Sequence, residues 1–206
     1  MAGWCWTPRH RSRATAGPDR AGVGTVAGEG GTVQSSWVIR EATAVDAPGF
    51  ARSQIDAWRA AYGGILPADY LARMDHARLT TGWEQRLGAQ TPDVRQLVLA
   101  VGGEVAGWSG FGLPRDDVDR GVGELQAINL APEYWSRGFG SRLFTRSVTE
   151  LAGMGYGSGY LWVAAGNARA LVFYARHGWR ADGVEKDDDR FDPPLRELRV
   201  SCSVLA

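Results

Sequence analysis

The segment from Glu124 to Ala152 constrains the fold of this chain most strongly. A β-rich run, Glu124–Leu130, stops before Pro132, and a turn with Gly138 and Gly140 leads into an apolar helical stripe. Glycine lets backbone amides approach a ligand closely, and the start of a helix carries unpaired N–H groups and a partial positive charge. The segment therefore predicts a strand, an anion-binding turn and a helix, although ordinary turn glycines would produce the same spacing.

Two nucleotide-binding folds use a similar junction between strand and helix. The turn here lacks the Lys-Ser/Thr pair that ends a P-loop. It also does not open a strand–helix–strand unit with the three-glycine dinucleotide fingerprint. Both nucleotide folds are therefore disfavoured.

Strand-like and helix-like segments alternate from Trp37 onward. Asp46 is expected to cap a helix that runs to about Tyr62, and Gly102-Gly103 separates two β-rich runs as a hairpin turn would. The whole order is one strand, helices, three strands, then helix, strand, helix and two strands. This order predicts a single α/β or α+β domain with a mixed sheet and helices packed on it.

The first 34 residues differ in composition from the rest of the chain. They contain several arginines and the glycine-rich run Gly22–Gly31, and this composition buries too little apolar surface to offset the entropy of ordering. We predict a disordered tail over residues 1–34 and a folded domain over 35–206. No apolar run approaches the length of a membrane span, and no apolar stretch follows the N-terminal arginines, so we expect a cytoplasmic protein.

Charge and cysteine content exclude further classes of protein. The chain has 23 basic and 23 acidic side chains, which gives no positive field for nucleic acid. Cys5 and Cys202 lie near opposite ends, and the three histidines are scattered, so neither a disulfide framework nor a metal site is predicted. We therefore expect no nucleic-acid, membrane or metal partner.

Two motifs together resemble the GCN5-related N-acetyltransferase (GNAT) superfamily, which moves acyl groups from coenzyme A thioesters. Leu130-Ala-Pro132 followed by Arg137-Gly-Phe-Gly140 is similar to the family's pyrophosphate motif, and Asn167–Trp179 resembles its Asn-x-x-Ala-x-x-Phe-Tyr-x-x-x-Gly-Phe segment. Ser53–Leu71 resembles one bacterial branch, and the likeness covers roughly residues 37–205. It implies a GNAT-like acyl-CoA N-acyltransferase fold with a mostly antiparallel central sheet of six to seven strands and about four helices.

The resemblance implies that acetyl-CoA is the donor. The implied contacts are Ile128, Leu130, Arg137, Gly138, Phe139, Gly140, Ser141, Arg142, Asn167 and Tyr174. Trp135 departs from the family, which has Gln or Arg at this position, so one polar contact near the phosphates is missing. Because backbone N–H groups form most of such a cradle, we expect altered affinity rather than lost binding.

Acetyl transfer to an amine makes three chemical demands. The amine must lose a proton, the tetrahedral oxyanion must be stabilised, and the departing thiolate benefits from a proton. The resemblance implies Glu124 as the base, the backbone N–H of Leu130 as the oxyanion donor and Tyr174 as the acid. For each side chain a structural alternative stays open: an exposed strand carboxylate or a structural partner for Glu124, packing for Tyr174, and helix capping alone for Asn167.

The acceptor side is less well defined by the sequence. Trp58, Tyr62 and Trp108 are candidates for an aromatic wall suited to a cationic or apolar amine, with Glu124 beside it. Burial in the core is the alternative for the three aromatic residues.

The sequence as a whole predicts an acetyl-CoA-dependent N-acetyltransferase that acts on a primary amine by direct attack in a ternary complex. No Cys or Ser constellation indicates a covalent intermediate. The alternative is a non-catalytic acyl-CoA-binding or regulatory module on the same fold. The sequence does not identify the amine, for which a small molecule and a protein amine both fit, and the oligomeric state, a homodimer included, stays open.

Overall fold

The structure is a computed structural model that describes residues 22–26 and 35–203. Within these residues it contains eight strands and five α-helices. The strands are β1 Gly22–Val26, β2 Ser35–Glu41, β3 Val94–Val101, β4 Glu104–Gly112, β5 Val122–Leu130, β6 Ser158–Ala164, β7 Arg180–Asp188 and β8 Leu195–Cys202. The helices are α1 Ala47–Ala61, α2 Ala68–Ala72, α3 His76–Gly88, α4 Phe139–Gly153 and α5 Ala168–Arg176.

The strands form one mixed sheet in the order β1-β2-β3-β4-β5-β6-β8-β7. Every neighbouring pair is antiparallel except β5 and β6, which are parallel. The predicted fold class is confirmed, and the expected six to seven strands correspond to β2–β8. In the described part of the chain, no helix has the length and apolar character needed to cross a membrane.

The prediction of a disordered tail is wrong for residues 22–26. These residues form β1, which pairs antiparallel with β2 from Gly22 opposite Ile39 to Val26 opposite Ser35. Pairing of an edge strand comes from main-chain hydrogen bonds, which composition does not measure. Residues 1–21 and 27–34, the rest of the predicted tail, lie outside the described residues.

Two apolar layers cover the two faces of the sheet. α4 packs on one face through Leu143, Phe144 and Leu151, which are buried with Leu97 and Leu161 of the strands. On the other face α1 and α3 enclose an aromatic cluster of three residues. This cluster consists of Phe50, Trp83 and Trp108, with Phe50 stacked on Trp108 at a centroid distance of 5.0 Å.

The entry to α1 differs from the expected cap. Asp46 precedes the helix, but its carboxylate does not bond an N–H of α1. It accepts hydrogen bonds from the Thr43 N–H and from the Arg40 guanidinium, at 2.9 and 2.7 Å. Burial opposes ionisation of this carboxylate, but these bonds outweigh it and hold the pKa of Asp46 below its usual range.

A glycine sets the distance between β4 and β5 near the end of β5. Gly107 lies opposite Leu130, and a Cβ on Gly107 would stand 2.4 Å from the Asn129 carbonyl oxygen and 3.0 Å from the Leu130 Cα. These are backbone atoms, which cannot rotate away. The absence of a side chain at Gly107 therefore lets β5 lie where it does.

We expect Gly107→Ala to lower the free energy of unfolding by about 1–3 kcal/mol, because the added methyl overpacks the β4–β5 contact. Gly82→Ala is the matched control: a Cβ at Gly82, inside α3, meets no atom within 4 Å, and alanine favours a helix by up to about 1 kcal/mol. Urea unfolding of both variants measures the difference. Equal stability of the two variants would show that β5 moves to accommodate the added methyl group at no cost.

Candidate functional site

The centre of the candidate site is the place where β5 and β6 diverge. The two strands pair over three residues only, from Val122 opposite Ser158 to Glu124 opposite Tyr160. Beyond this point a cavity of about 830 Å³ opens between them. It is lined by the remainder of β5, by Leu161–Val163 of β6, and by residues of α1, α4, α5 and the β7–β8 hairpin.

The backbone of β5 presents an N–H group to this opening. The Ala131 N–H donates to the Ala106 carbonyl of β4 at 2.9 Å. Successive residues of a strand direct their N–H groups to opposite sides, so the Leu130 N–H is directed away from β4, towards the side where β6 has diverged. Leu130 and Ile128, both predicted to contact the cofactor, line the cavity.

Trp135 ties the end of β5 to the start of α5. Its indole N–H donates to the Leu130 carbonyl at 2.6 Å, and the Arg169 guanidinium lies 4.1 Å from the centroid of its ring. Both side chains line the cavity. The residue that departs from the family motif therefore fixes the Leu130 peptide and stacks with an arginine, two contacts that the motif alone does not predict.

The N-terminus of α4 borders the cavity at the other end of the Leu130–Gly138 turn. Gly138 has φ of +80° and is the N-cap, with no side-chain cap among the described residues. The first intrahelical bond that involves it runs from the Arg142 N–H to the Gly138 carbonyl, so the N–H groups of residues 138–141 have no partner within the helix. Gly138, Gly140 and Ser141 line the cavity, as predicted for contacts with an anion.

Three predicted cofactor contacts lie elsewhere. The Phe139 side chain is buried in the core. The Arg142 guanidinium lies over the Trp37 ring, 4.8 Å from its centroid, and Arg137 is exposed. None of the three is among the residues that line the cavity. Phe139 can therefore act only through its backbone, and the two arginines would act only through their charge.

Asn167 and Tyr174 both line the cavity from the α5 side. The Asn167 Oδ1 accepts a hydrogen bond from the Ala170 N–H at 3.1 Å, which makes Asn167 the N-cap of α5 as predicted. Tyr174 is buried against Phe144 and Phe173. Burial, and then the neighbouring Tyr62, raise the pKa of Tyr174 well above its ordinary value, so the phenol keeps its proton.

Of the three residues predicted to form an aromatic wall, two line the cavity. Trp58 and Tyr62 line the cavity with their rings 5.1 Å apart. Trp108 does not line it, because its ring is stacked on Phe50 in the core and its indole N–H donates to the Phe50 carbonyl at 3.2 Å. Phe191 of the β7–β8 hairpin, in edge contact with Tyr70, completes the wall instead.

The structure does not support Glu124 as a base or an acceptor contact. Its side chain is fully buried and does not line the cavity. Both carboxylate oxygens accept hydrogen bonds from Arg115: the backbone N–H donates at 2.9 Å, and the guanidinium donates from Nε and Nη2. These lone pairs are occupied, so Glu124 forms an ion pair with Arg115, which agrees with the structural partner that the sequence left open as an alternative.

A second carboxylate, which sequence reasoning missed, does line the cavity. Glu197 lies on β8 between Ala164 of β6 and Lys186 of β7, and its side chain is 19% exposed. Lys186 and Asp188 line the same region. In the sequence, Glu197 is only a charged residue within a strand. This pattern does not indicate whether its side chain lines a cavity or faces solvent. Among the described residues, no group of three His, Cys, Asp or Glu side chains could hold a metal ion.

Comparisons with known proteins agree with this geometry. The family model described as acetyltransferase (GNAT) family matches residues 55–179. YuaI of Bacillus subtilis, an uncharacterized N-acetyltransferase, is 30% identical over 138 residues, which are 66% of this chain and 76% of YuaI.

Solved structures share the fold at low sequence identity. The PaiA N-acetyltransferase of Thermoplasma acidophilum, in complex with coenzyme A, aligns with a TM-score of 0.63 and 16% identity over 81% of this chain and 98% of its own. YncA of Salmonella typhimurium, with its cofactor acetyl-CoA, aligns with a TM-score of 0.59 and 20% identity over 81% and 93%. These likenesses show the fold alone.

We expect Glu124→Gln to act on stability, because it removes the buried negative charge that faces the Arg115 guanidinium. The free energy of unfolding should fall by about 2–4 kcal/mol, less than for a fully buried pair because 34% of the Arg115 side chain is exposed. Glu185→Gln, which breaks the exposed pair with Arg196, is the matched control and should cost less than about 1 kcal/mol. Equal losses in urea unfolding would contradict the structural role of Glu124.

Proposed function

The chain belongs to the acetyltransferase (GNAT) family, and we propose that it transfers the acetyl group of acetyl-CoA to a primary amine by direct attack in a ternary complex. The observation that carries this proposal is the divergence of β5 and β6, with the N-terminus of α4 at one end of the opening and an aromatic wall at the other. A donor and an acceptor can occupy the two ends together.

The donor end fits the chemistry of coenzyme A. The unpartnered N–H groups of residues 138–141 and the partial positive charge at the start of α4 suit the pyrophosphate. The backbone of β5, at Ile128 and Leu130, suits the peptide-like pantetheine arm. The likeness to folds that hold coenzyme A and acetyl-CoA supports this assignment.

The chemical step follows from the groups at the divergence. The amine nitrogen attacks the thioester carbon, and the carbonyl π electrons move to oxygen, where the Leu130 N–H stabilises the charge. The C–S bond then breaks, and its electron pair leaves with sulfur. Tyr174 stabilises the developing thiolate through its hydroxyl and supplies a proton. Because its pKa is raised, hydrogen-bond donation is the larger part of this role.

The lining of the cavity supports direct attack. Among the described residues that form it there is no cysteine and no histidine. Ser136 and Ser141 lie at the turn before α4 and at its first residues, the end assigned to the phosphates. A side-chain nucleophile activated by a histidine is therefore missing from the acceptor end.

We expect Gly140→Val to weaken acetyl-CoA binding at least tenfold, about 1.4 kcal/mol, because the new side chain occupies the space beside the α4 N–H groups. The fold should tolerate it, since a Cβ at Gly140 lies 3.5 Å from the nearest atom of Phe173. Calorimetry measures the affinity, and Gly153→Val at the other end of α4 controls for the effect of valine in this helix. Unchanged affinity in folded Gly140→Val would place the phosphates elsewhere.

The activity itself is tested by thiol release from acetyl-CoA with a panel of primary amines. We expect Tyr174→Phe, which removes only the hydroxyl, to lower kcat about 10- to 1,000-fold with little change in the affinity for acetyl-CoA. Near-normal kcat in this variant would mean that the thiolate leaves without help from Tyr174.

Wild-type protein that binds acetyl-CoA but releases no thiol with any amine would favour the non-catalytic acyl-CoA-binding module. Failure to bind acetyl-CoA at all would overturn both functions. The combination of calorimetry and thiol release therefore separates the three outcomes.

A further inference from the structure

Two glutamates near the divergence of β5 and β6 have opposite surroundings. Glu124 is fully buried and accepts several hydrogen bonds from Arg115. The Glu197 carboxylate lines the cavity, and no hydrogen bond to it is made by the residues the structure describes. Its nearest charged partner in these residues is the Lys186 ammonium at 3.8 Å, beyond hydrogen-bonding distance. Of the two, only Glu197 has free lone pairs that face the cavity.

Glu197 lies near Tyr62 and Asn167 in the lining of the cavity. It lies opposite Ala164, the last residue of β6, and Asn167 caps α5 three residues later. Burial raises the pKa of Tyr62, the residue after α1, and the Glu197 charge adds to the rise. Tyr62 in turn adds to the raised pKa of Tyr174, so Tyr62 lies close to both groups. The carboxylate, the aromatic wall and the phenol therefore share one end of the cavity.

We propose that Glu197 of β8, and not Glu124 of β5, is the general base that takes a proton from the amine acceptor. This proposal rests on the proposed function. A primary ammonium ion that enters the cavity would lose one proton to the Glu197 carboxylate, which returns it to solvent. The neutral amine then forms the C–N bond as the C–S bond breaks. The nitrogen loses a second proton to the regenerated Glu197 carboxylate, and the return of this proton through solvent to Tyr174 restores the proton that the phenol gave to the thiolate.

The charges around Glu197 suit this task. Burial raises the pKa of Glu197 above its ordinary value, and Asp188 of β7 adds to the rise. Lys186 of β7, Arg190 of the β7–β8 turn and Arg115 of the β4–β5 loop oppose it. The Lys186 ammonium also lies 4.0 Å from the centroid of the Trp162 ring, so its charge interacts with this ring as well as with Glu197. A carboxylate with a raised pKa is a stronger base towards an ammonium ion than an exposed one.

The test compares the pH–rate profiles of wild type, Glu197→Gln and the control Glu185→Gln, which changes a carboxylate of the same hairpin outside the cavity. With an amine that the thiol-release panel identifies, we expect Glu197→Gln to lower kcat/KM about 100-fold near pH 7. The defect should shrink as the pH approaches the amine pKa, because more amine arrives neutral. Glu185→Gln should retain the wild-type profile.

Calorimetry and thermal unfolding accompany the kinetics. Unchanged acetyl-CoA affinity in Glu197→Gln would support a role limited to the acceptor. The Glu197→Asp variant keeps the charge but shortens its reach, so its rate should lie between those of wild type and Glu197→Gln. If Glu197→Gln does not fold, an unaltered rate and profile in Glu197→Asp would overturn the proposal, and an intermediate rate whose defect shrinks as the pH approaches the amine pKa would support it.

Two results would overturn the assignment while leaving the proposed function intact. One is a folded Glu197→Gln variant that has the same pH–rate profile as an active wild type. The other is a raised KM for the amine with an unchanged pH dependence of kcat, which would make Glu197 a binding group. A wild type that transfers acetyl to no amine would instead overturn the proposed function, and the assignment of Glu197 as its base would be overturned as well.

Discussion

The site depends on one interruption of the hydrogen-bond ladder. β5 and β6 share three residue pairs and then separate, while β4 stays paired with β5 as far as Leu130, with one irregularity, and β8 stays paired with β6 as far as Ala164. Main-chain groups inside a sheet are normally paired, so an interruption between two strands that keep their outer partners leaves donors and acceptors available for a ligand. The helices that follow, α4 and α5, begin at the two diverging ends. The opening, the helix terminus and the side chains for which we propose catalytic roles are therefore all positioned by the same separation of two strands.

Environment, not residue type, separates the two glutamates of this region. Arg115 reaches Glu124 with both its backbone and its side chain, which compensates the cost of burying the charge. Glu197 has the Lys186 ammonium 3.8 Å away as its nearest charged partner among the described residues, and its side chain is partly exposed. The first arrangement stabilises a fold, and the second leaves a group that can exchange protons. A strand glutamate found by motif comparison alone cannot be assigned to either arrangement.

The strands and helices were predictable because each depends on nearby residues. The strand ending before Pro132, the glycine turn and the Asn167 cap depend on local backbone chemistry, and the structure contains all three. Contacts across the chain were not predictable in this way. Arg115 lies in a loop, and nothing in its neighbourhood indicates that it reaches Glu124. Whether an aromatic residue such as Trp108 enters a core or a cavity depends on which helix covers that face of the sheet.

The contact between Trp135 and Arg169 joins the two walls of the opening on the cofactor side, where no ladder hydrogen bond connects them. It is an attraction between a cation and a ring at 4.1 Å, well inside the screening length of about 8 Å at physiological ionic strength. Dissolved ions therefore weaken it less than they weaken attraction between distant charges. Salt is therefore expected to leave this contact largely in place, whereas it would slow the encounter with a polyanion such as the proposed acetyl-CoA donor.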